Sequence, residues 1–291
     1  MIIRFGRLAI CEILKQRKSY RFLWIPDITC SEVLNYLEKN SVRYRFYYTQ
    51  PNGSINDSSL SDSCYEDCLL VVHHFGKKCQ NNTYNFQLVI QDFTHMILSC
   101  KSFYNLPENS FTSFRKYTRF KFGGYLRLEK KQYLISVSSF KKNNIMKYII
   151  LSFPFILHIY NLKKKSTESL ENDTRTCDLT FYYLNNLELI LMEFAFSRIK
   201  KYSSCIKTYF NLRGIEVVSS ESFFSVISIS NIDKKQLRWL SILGFDVYHW
   251  PSINKFSHAR AVDFSSGNIF VGHDIPYYTF IFLKILNKFK N

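Results

Sequence analysis

The sequence predicts an α/β fold with a mainly parallel central sheet and a smaller α/β unit at its carboxyl end. Three patterns support this. Short apolar runs alternate with segments of helical apolar spacing through the first half of the 291 residues. Two runs bounded by polar segments, Cys68 to Val72 and Gln87 to Ile90, suit strands buried on both faces, and the stretch between them is long enough for a parallel crossover. Beyond Phe223, strands and helices alternate again in an order of their own. Hydrophobic residues are 46% of the chain and aromatics 17%, enough to bury a sizeable core.

The elements follow in order. Leu8 to Arg17 has helical spacing, Arg21 to Ile25 is a short strand closed by Pro26, and Ser31 to Lys39 is a second helix with Ser31 placed to cap it. Arg43 to Tyr48 returns as a strand, and Asn52 to Ser63 is a polar loop. Ligands of open parallel sheets gather at the carboxyl ends of the strands. That singles out His73, His74 and Gly76 after the first buried run, and Gln91, Asp92 and His95 after the second. Gly123 and Gly124 introduce a strand from Tyr125 to Leu128, Lys163 to Thr176 reads as an exposed linker, and Leu187 to Phe210 as a long helix. The terminal unit reads as strand Phe223 to Ile229, helix Asp233 to Leu243, strands Phe245 to Tyr248 and Ile269 to Val271, and a helix running to Lys290. His249, Trp250 and Pro251 close one of its strands in a structural role. The expected division is a large unit over 1–162, a linker and long helix over 163–215, and a small unit over 216–291.

Lys and Arg number 39 against 23 Asp and Glu, a net charge of +16, which attracts polyanions, acidic membranes or phosphorylated small molecules. No RNP-like, zinc-finger or helix-turn-helix pattern accompanies it, so dedicated nucleic-acid binding is not expected. Of eight cysteines only Cys64 and Cys68 are close, with no second pair at zinc spacing. Reduced thiols, no metal and a cytoplasmic setting are expected, because the opening MIIRFGRLAI turns polar without a cleavage site. Tyr148 to Leu162, flanked by Lys141, Lys142 and Lys163 to Lys165, is shorter than the roughly 20 apolar residues of a spanning helix. It reads as a buried element, with peripheral contact to an acidic membrane as the alternative.

Four motifs stand in order: FGRLAI (Phe5 to Ile10), VVHHFG (Val71 to Gly76), VIQDFTH (Val89 to His95) and SFRKYTRFKFGG (Ser113 to Gly124). Taken singly they are bland. Lys116 reads as a surface lysine, Asp92 as a strand-end carboxylate or cap, His73 and His74 as satisfied histidines, and Gly6 and Arg7 as a helix start. Taken in order they resemble the DegT/DnrJ/EryC1/StrS family, sugar aminotransferases of pyridoxal-phosphate fold type I. GFDVYHWPSI (Gly244 to Ile253) and NIFVGHDIP (Asn268 to Pro276) are similar to that family's small-domain segments, so the resemblance covers most of the chain.

The resemblance implies a fold and a site. The fold is type I, and the cofactor is pyridoxal 5'-phosphate, an electron sink that needs a carboxylate at its pyridine nitrogen and a lysine on its aldehyde. Lys116 matches the Schiff-base lysine, seven residues before Gly123, and Asp92 matches the pyridinium partner. His95 matches the contact to the ring hydroxyl, while Gly6, Arg7 and Ser113 match the phosphate-binding positions. Three departures stand out: Gln91 replaces a Glu, Cys30 occupies an aromatic's place, and the segment from Ser113 to Lys116 is two residues shorter than usual. The implied activity is transamination of a nucleotide-linked sugar in polysaccharide or secondary-metabolite biosynthesis, by a homodimer using an amino donor. The alternative is a catalytically degenerate relative serving as a binding or scaffold protein in glycan synthesis.

Overall fold

The structure, a computed structural model, describes residues 6–17, 19–50, 52–79, 85–96, 98, 105–113, 124–128, 131–134, 186–219, 224–273 and 277–288. Within them the first half builds a seven-stranded sheet: β1 (Leu23–Pro26), β2 (Tyr44–Tyr47), β3 (Cys68–Val72), β4 (Leu88–Asp92), β5 (Ser110–Ser113), β6 (Gly124–Leu128) and β7 (Lys131–Leu134). Their spatial order is β2-β1-β3-β4-β5-β6-β7. The ladder is parallel from β2 to β5 and antiparallel from β5 to β7. The mainly parallel α/β sheet predicted above is what forms.

Period-two alternation explains why its central strands are apolar throughout. Leu23, Ile25, Cys68, Leu70, Leu88 and Ile90 face two helices, α1 (Gly6–Leu14) and α2 (Ser31–Lys39), which bury Ile10, Ile13, Leu34 and Leu37 against them. Trp24, Leu69 and Val71 face the other way, onto Tyr47, Ile55, Leu60 and Cys79. Each strand therefore removes apolar surface from water on both sides.

Ser31 does not cap α2. Cys30 stands at the cap with no side-chain cap bond, and the Ser31 hydroxyl donates instead to Ser252 Oγ at 2.8 Å. Among the described residues, three strands and one α-helix lie beyond the sequence reading: β5, β7, β8 (Val217–Ser219) and a helix over Ala259–Gly267. The sequence of β5, SFTS, carries one apolar side chain, yet all four residues are buried because β4 and β6 pair with it on either side.

The second half forms a four-stranded antiparallel sheet in the order β10-β11-β9-β8, with β9 (Phe224–Ser228), β10 (Val247–Tyr248) and β11 (Asn268–Gly272). Ile227, Ile269 and Val271 face three helices, α3 (Asn186–Leu212), α4 (Lys234–Ile242) and α6 (Tyr277–Lys288). α4 starts with a capping box, Asp233 accepting from Gln236 N while the Gln236 side chain returns to Asp233 N. His273 is fully buried between Ser203 Oγ (2.6 Å) and Ser225 Oγ (2.8 Å), which ties α3 to β9.

Phe224 and Phe270 point to the opposite face, toward Phe75 and Trp250, so this sheet lies over the first half of the chain. Polar contacts fix the junction. Ser31 N donates to the Ser252 carbonyl, Asn254 Nδ2 donates to Asn35 Oδ1 at 2.8 Å, and Arg260, on α5 (Ala259–Gly267), pairs at 3.0 Å with the buried carboxylate of Asp27. Among the described residues no helix is long and apolar enough to cross a membrane, and no cluster of three metal-ligating side chains occurs. Tyr148 to Leu162 and the linker from Lys163 lie outside the described residues.

Candidate functional site

The parallel strands finish at one edge, so the motifs that follow them meet there. Val72 pairs with Asp92 across β3–β4, and Asp92 with Phe111 across β4–β5, which puts Asp92 at the carboxyl end of β4 and Ser113 at that of β5. His73 N donates to the Asp92 carbonyl at 3.0 Å and Phe93 N to that of Phe111 at 2.8 Å, so the ladder extends one residue past each strand. Asp92 Oδ1 accepts from Thr94 N at 2.7 Å, an Asx turn that fixes the carboxylate as the chain leaves the sheet.

Gly6 brings α1 to this edge. A Cβ there would lie 3.0 Å from Phe111 Cε2 and 3.6 Å from Thr94 Oγ1, so the helix start sits directly on the turn after β4 and the ring of β5. The orphan amides and positive dipole end of α1 thus lie beside the strand end that carries Asp92. Ser113 is buried, 7% exposed, and its partner across β5–β6 is Gly124. Adding a Cβ to Gly124 would put it 2.2 Å from the Thr112 carbonyl oxygen, which explains the second glycine of the pair physically.

His73 and Gln91 form a closed polar pair behind the edge. Cys79 N donates to His73 Nδ1 at 2.9 Å, so the proton sits on Nε2, which donates to Gln91 Oε1 at 3.2 Å. Burial pushes the His73 pKa down to about 4. Both histidines of VVHHFG are buried, and His73 is satisfied by these two bonds. The unfolded chain takes up a proton near the ordinary value of 6.5 and the folded chain only near 4, so stability falls as pH drops through that window. His73→Gln is expected to flatten the thermal midpoint's pH dependence between those limits; a profile that keeps its full slope in the variant would assign the acid sensitivity to other groups.

His95, three residues past Asp92, is enclosed rather than open to the edge. Its ring lies 5.1 Å from that of Trp250, 5.4 Å from Phe224 and 5.6 Å from His74, and only 4% of the residue is exposed. Arg7 is half-buried at the start of α1, and its charge is felt at Glu32. Burial opposes ionisation of Glu32, but a hydrogen bond from Ser252, with smaller help from Cys30 and the Arg7 charge, leaves its pKa below the ordinary carboxylate value. Gly6, Asp92 and Ser113 are therefore gathered at one edge, with Arg7 on the same helix start and His95 inside an aromatic wall. Lys116 lies outside the described residues. The sequence reading missed the aromatic wall and the Asp27–Arg260 pair. In the sequence Trp250 reads as structural, and nothing local announces that it meets His95.

No known family profile matches the chain, and no curated protein does. Solved structures do. Over 98% of its length the chain superposes on DesV of S. venezuelae, solved in complex with a ketimine intermediate (TM-score 0.54, 10% identity, 83% of that chain). A DegT DnrJ EryC1 StrS aminotransferase from Brucella abortus gives the same TM-score, 0.54, over 98% of this chain and 84% of that one, at 10% identity. The GDP-4-keto-6-deoxymannose-3-dehydratase ColD with bound GDP-perosamine matches at 0.53 over 97% and 84%, with 13% identity. The chain therefore has the fold of the pyridoxal-phosphate fold type I sugar aminotransferases.

Proposed function

We propose that the protein is a pyridoxal-phosphate-dependent, aminotransferase-like enzyme acting on a nucleotide-linked sugar. One observation carries this reading: the start of α1 at Gly6 and the residues Asp92 and Ser113 all stand at the carboxyl edge of a sheet of this fold. The donor set fits the cofactor. A helix N-terminus together with a hydroxyl suits a phosphate, and a carboxylate fixed by a backbone N–H suits a protonated ring nitrogen.

When bound, pyridoxal phosphate supplies an electron sink that lets a proton leave the carbon carrying the transferred nitrogen. The chain's residues would do the rest. Asp92 would hold the proton on the ring nitrogen through its carboxylate, and His95 would hydrogen-bond the ring hydroxyl through an imidazole nitrogen. Gly6, Arg7 and Ser113 would orient the phosphate, and Lys116 would supply the amine that anchors the cofactor and moves the proton. The charge of +16 suits a diphosphate-bearing substrate. An amino donor, a homodimer and a cytoplasmic setting belong to the same proposal.

Specific observations favour a second reading, a relative that binds without turning over. The Arg7 charge already acts on the Glu32 carboxylate, Cys30 offers no ring to stack on the cofactor, and aromatic rings enclose His95. The test is to titrate the purified protein with the cofactor, follow the visible absorption band, reduce with borohydride and map the peptides. The first reading expects a pyridoxyl group on Lys116 and amino transfer to a nucleotide-linked keto sugar. A colourless protein with no label at Lys116 sinks it in favour of the second.

A further inference from the structure

The outer helix layer of the second sheet is where the charge of the chain and its exposed apolar side chains coincide. α3, α4 and α6 bury Ile206, Phe210, Leu240, Phe280 and Leu283 on one face of that sheet, while the other face meets Phe75 and Trp250 beside the candidate site. The outward faces of these helices therefore point away from the site. They carry Trp239 and Ile242 on α4 and Ile281, Phe282 and Ile285 on α6, all between 37% and 60% exposed. The two groups are neighbours, because Thr279 in the first turn of α6 donates to the Leu243 carbonyl, one residue past α4.

Cations share these two helices and the neighbouring α3. Lys234, Lys235 and Arg238 on α4, Lys284 on α6, and Lys200, Lys201 and Lys207 on α3 are all exposed. Neither α4 nor α6 contains a carboxylate. Of the acids at the rim, Asp233 caps α4 at 2.6 Å from Gln236 N, Glu216 accepts from Asn231 Nδ2 at 3.1 Å, and Asp246 lies on the turn into β10.

A solvated face has no use for five large apolar side chains, and a phosphodiester backbone is bound by cations without isoleucines. An anionic bilayer surface uses both. Apolar side chains enter the boundary of the acyl region while Lys and Arg stay among the headgroups. We propose that the outer face of α4 and α6, flanked by the lysines of α3, docks the protein peripherally on an anionic lipid surface. The assignment is independent of the cofactor and of Lys116.

The experiment is sedimentation of the full chain with vesicles of phosphatidylcholine alone, or with about 30 mol% phosphatidylserine. Binding is expected only with the anionic lipid and should weaken as salt is raised. Trp239→Glu with Phe282→Glu, and separately Lys235→Glu with Lys284→Glu, are each expected to lower vesicle partitioning about tenfold or more while leaving the far-UV spectrum and thermal midpoint in place. Equal partitioning to both vesicles, or wild-type partitioning by both variants, overturns the proposal. So does a solution dimer, seen by light scattering, that the apolar pair of substitutions dissociates, because the face then belongs to a second copy.

Discussion

Asp92→Asn is expected to lower amino-transfer turnover on the order of a hundred- to a thousandfold and to weaken cofactor retention, with the fold intact. The substitution separates charge from shape. Asn keeps an oxygen able to accept from Thr94 N, the 2.7 Å bond that makes the turn after β4, and the backbone pairing of Asp92 with Val72 and Phe111 involves no side chain. What disappears is the negative charge that would keep a proton on the ring nitrogen of the cofactor. Without that charge the bound cofactor would supply a weaker electron sink, and proton removal from the substrate carbon would slow. The measurements are kcat with a nucleotide-linked keto sugar and an amino donor, cofactor affinity from the visible band, and the thermal midpoint. Unchanged turnover in a folded variant would remove Asp92 from the chemistry and with it the reading of this edge as a cofactor site.

The same strand shows how far the sequence carries this fold. β3 spans Cys68–Val72 and α2 spans Ser31–Lys39, the ranges expected, because an unbroken apolar run and a repeating Leu spacing are each set by local periodicity. β4 was expected to end at Ile90 but continues through Gln91 and Asp92. Its last two side chains are polar, so the hydrophobic pattern stops two residues early, whereas the hydrogen-bond ladder reads only backbone. For the same reason SFTS did not read as a strand. Ser110 to Ser113 are held by neighbours on both sides, and those pairings join residues far apart in sequence. Motif order placed Gly6, Asp92 and Ser113 in one reading, but the reason Gly6 must be glycine, the Phe111 ring beneath it, comes only from packing. Ser31 carried a correct helix start and a wrong role, since its hydroxyl serves a contact to Ser252 rather than the first turn of α2. The enclosure of His95 by Trp250 and Phe224 was illegible on the same ground.

At the other end of the sheet, Asp67→Ala is expected to cost about 3 to 5 kcal/mol of stability and to leave the chemistry alone. Asp67 precedes β3 with its side chain fully buried, and five donors converge on it. Arg21 Nε and Nη2 lie at 2.9 and 2.7 Å, Trp24 Nε1 at 2.9 Å, and the amides of Phe22 and Cys64 at 3.2 and 3.1 Å. Alanine would leave the buried indole N–H and two partly buried backbone amides without this acceptor. Arg21→Ala should cost less, because the Arg21 side chain is 41% exposed and its share of the pair is screened. Burial alone would raise the Asp67 pKa, but the bonds from Arg21 and Trp24 outweigh it and hold the group down to about 2. Its contribution is therefore complete above the unfolded-state value of about 4 and is lost as pH falls through about 2. Urea unfolding of wild type and Asp67→Ala across that window should show the gap between them closing from the wild-type side. A gap that stays constant down to pH about 2 would mean that folding does not shift the pKa of Asp67, and that the five donors do not favour its charged form.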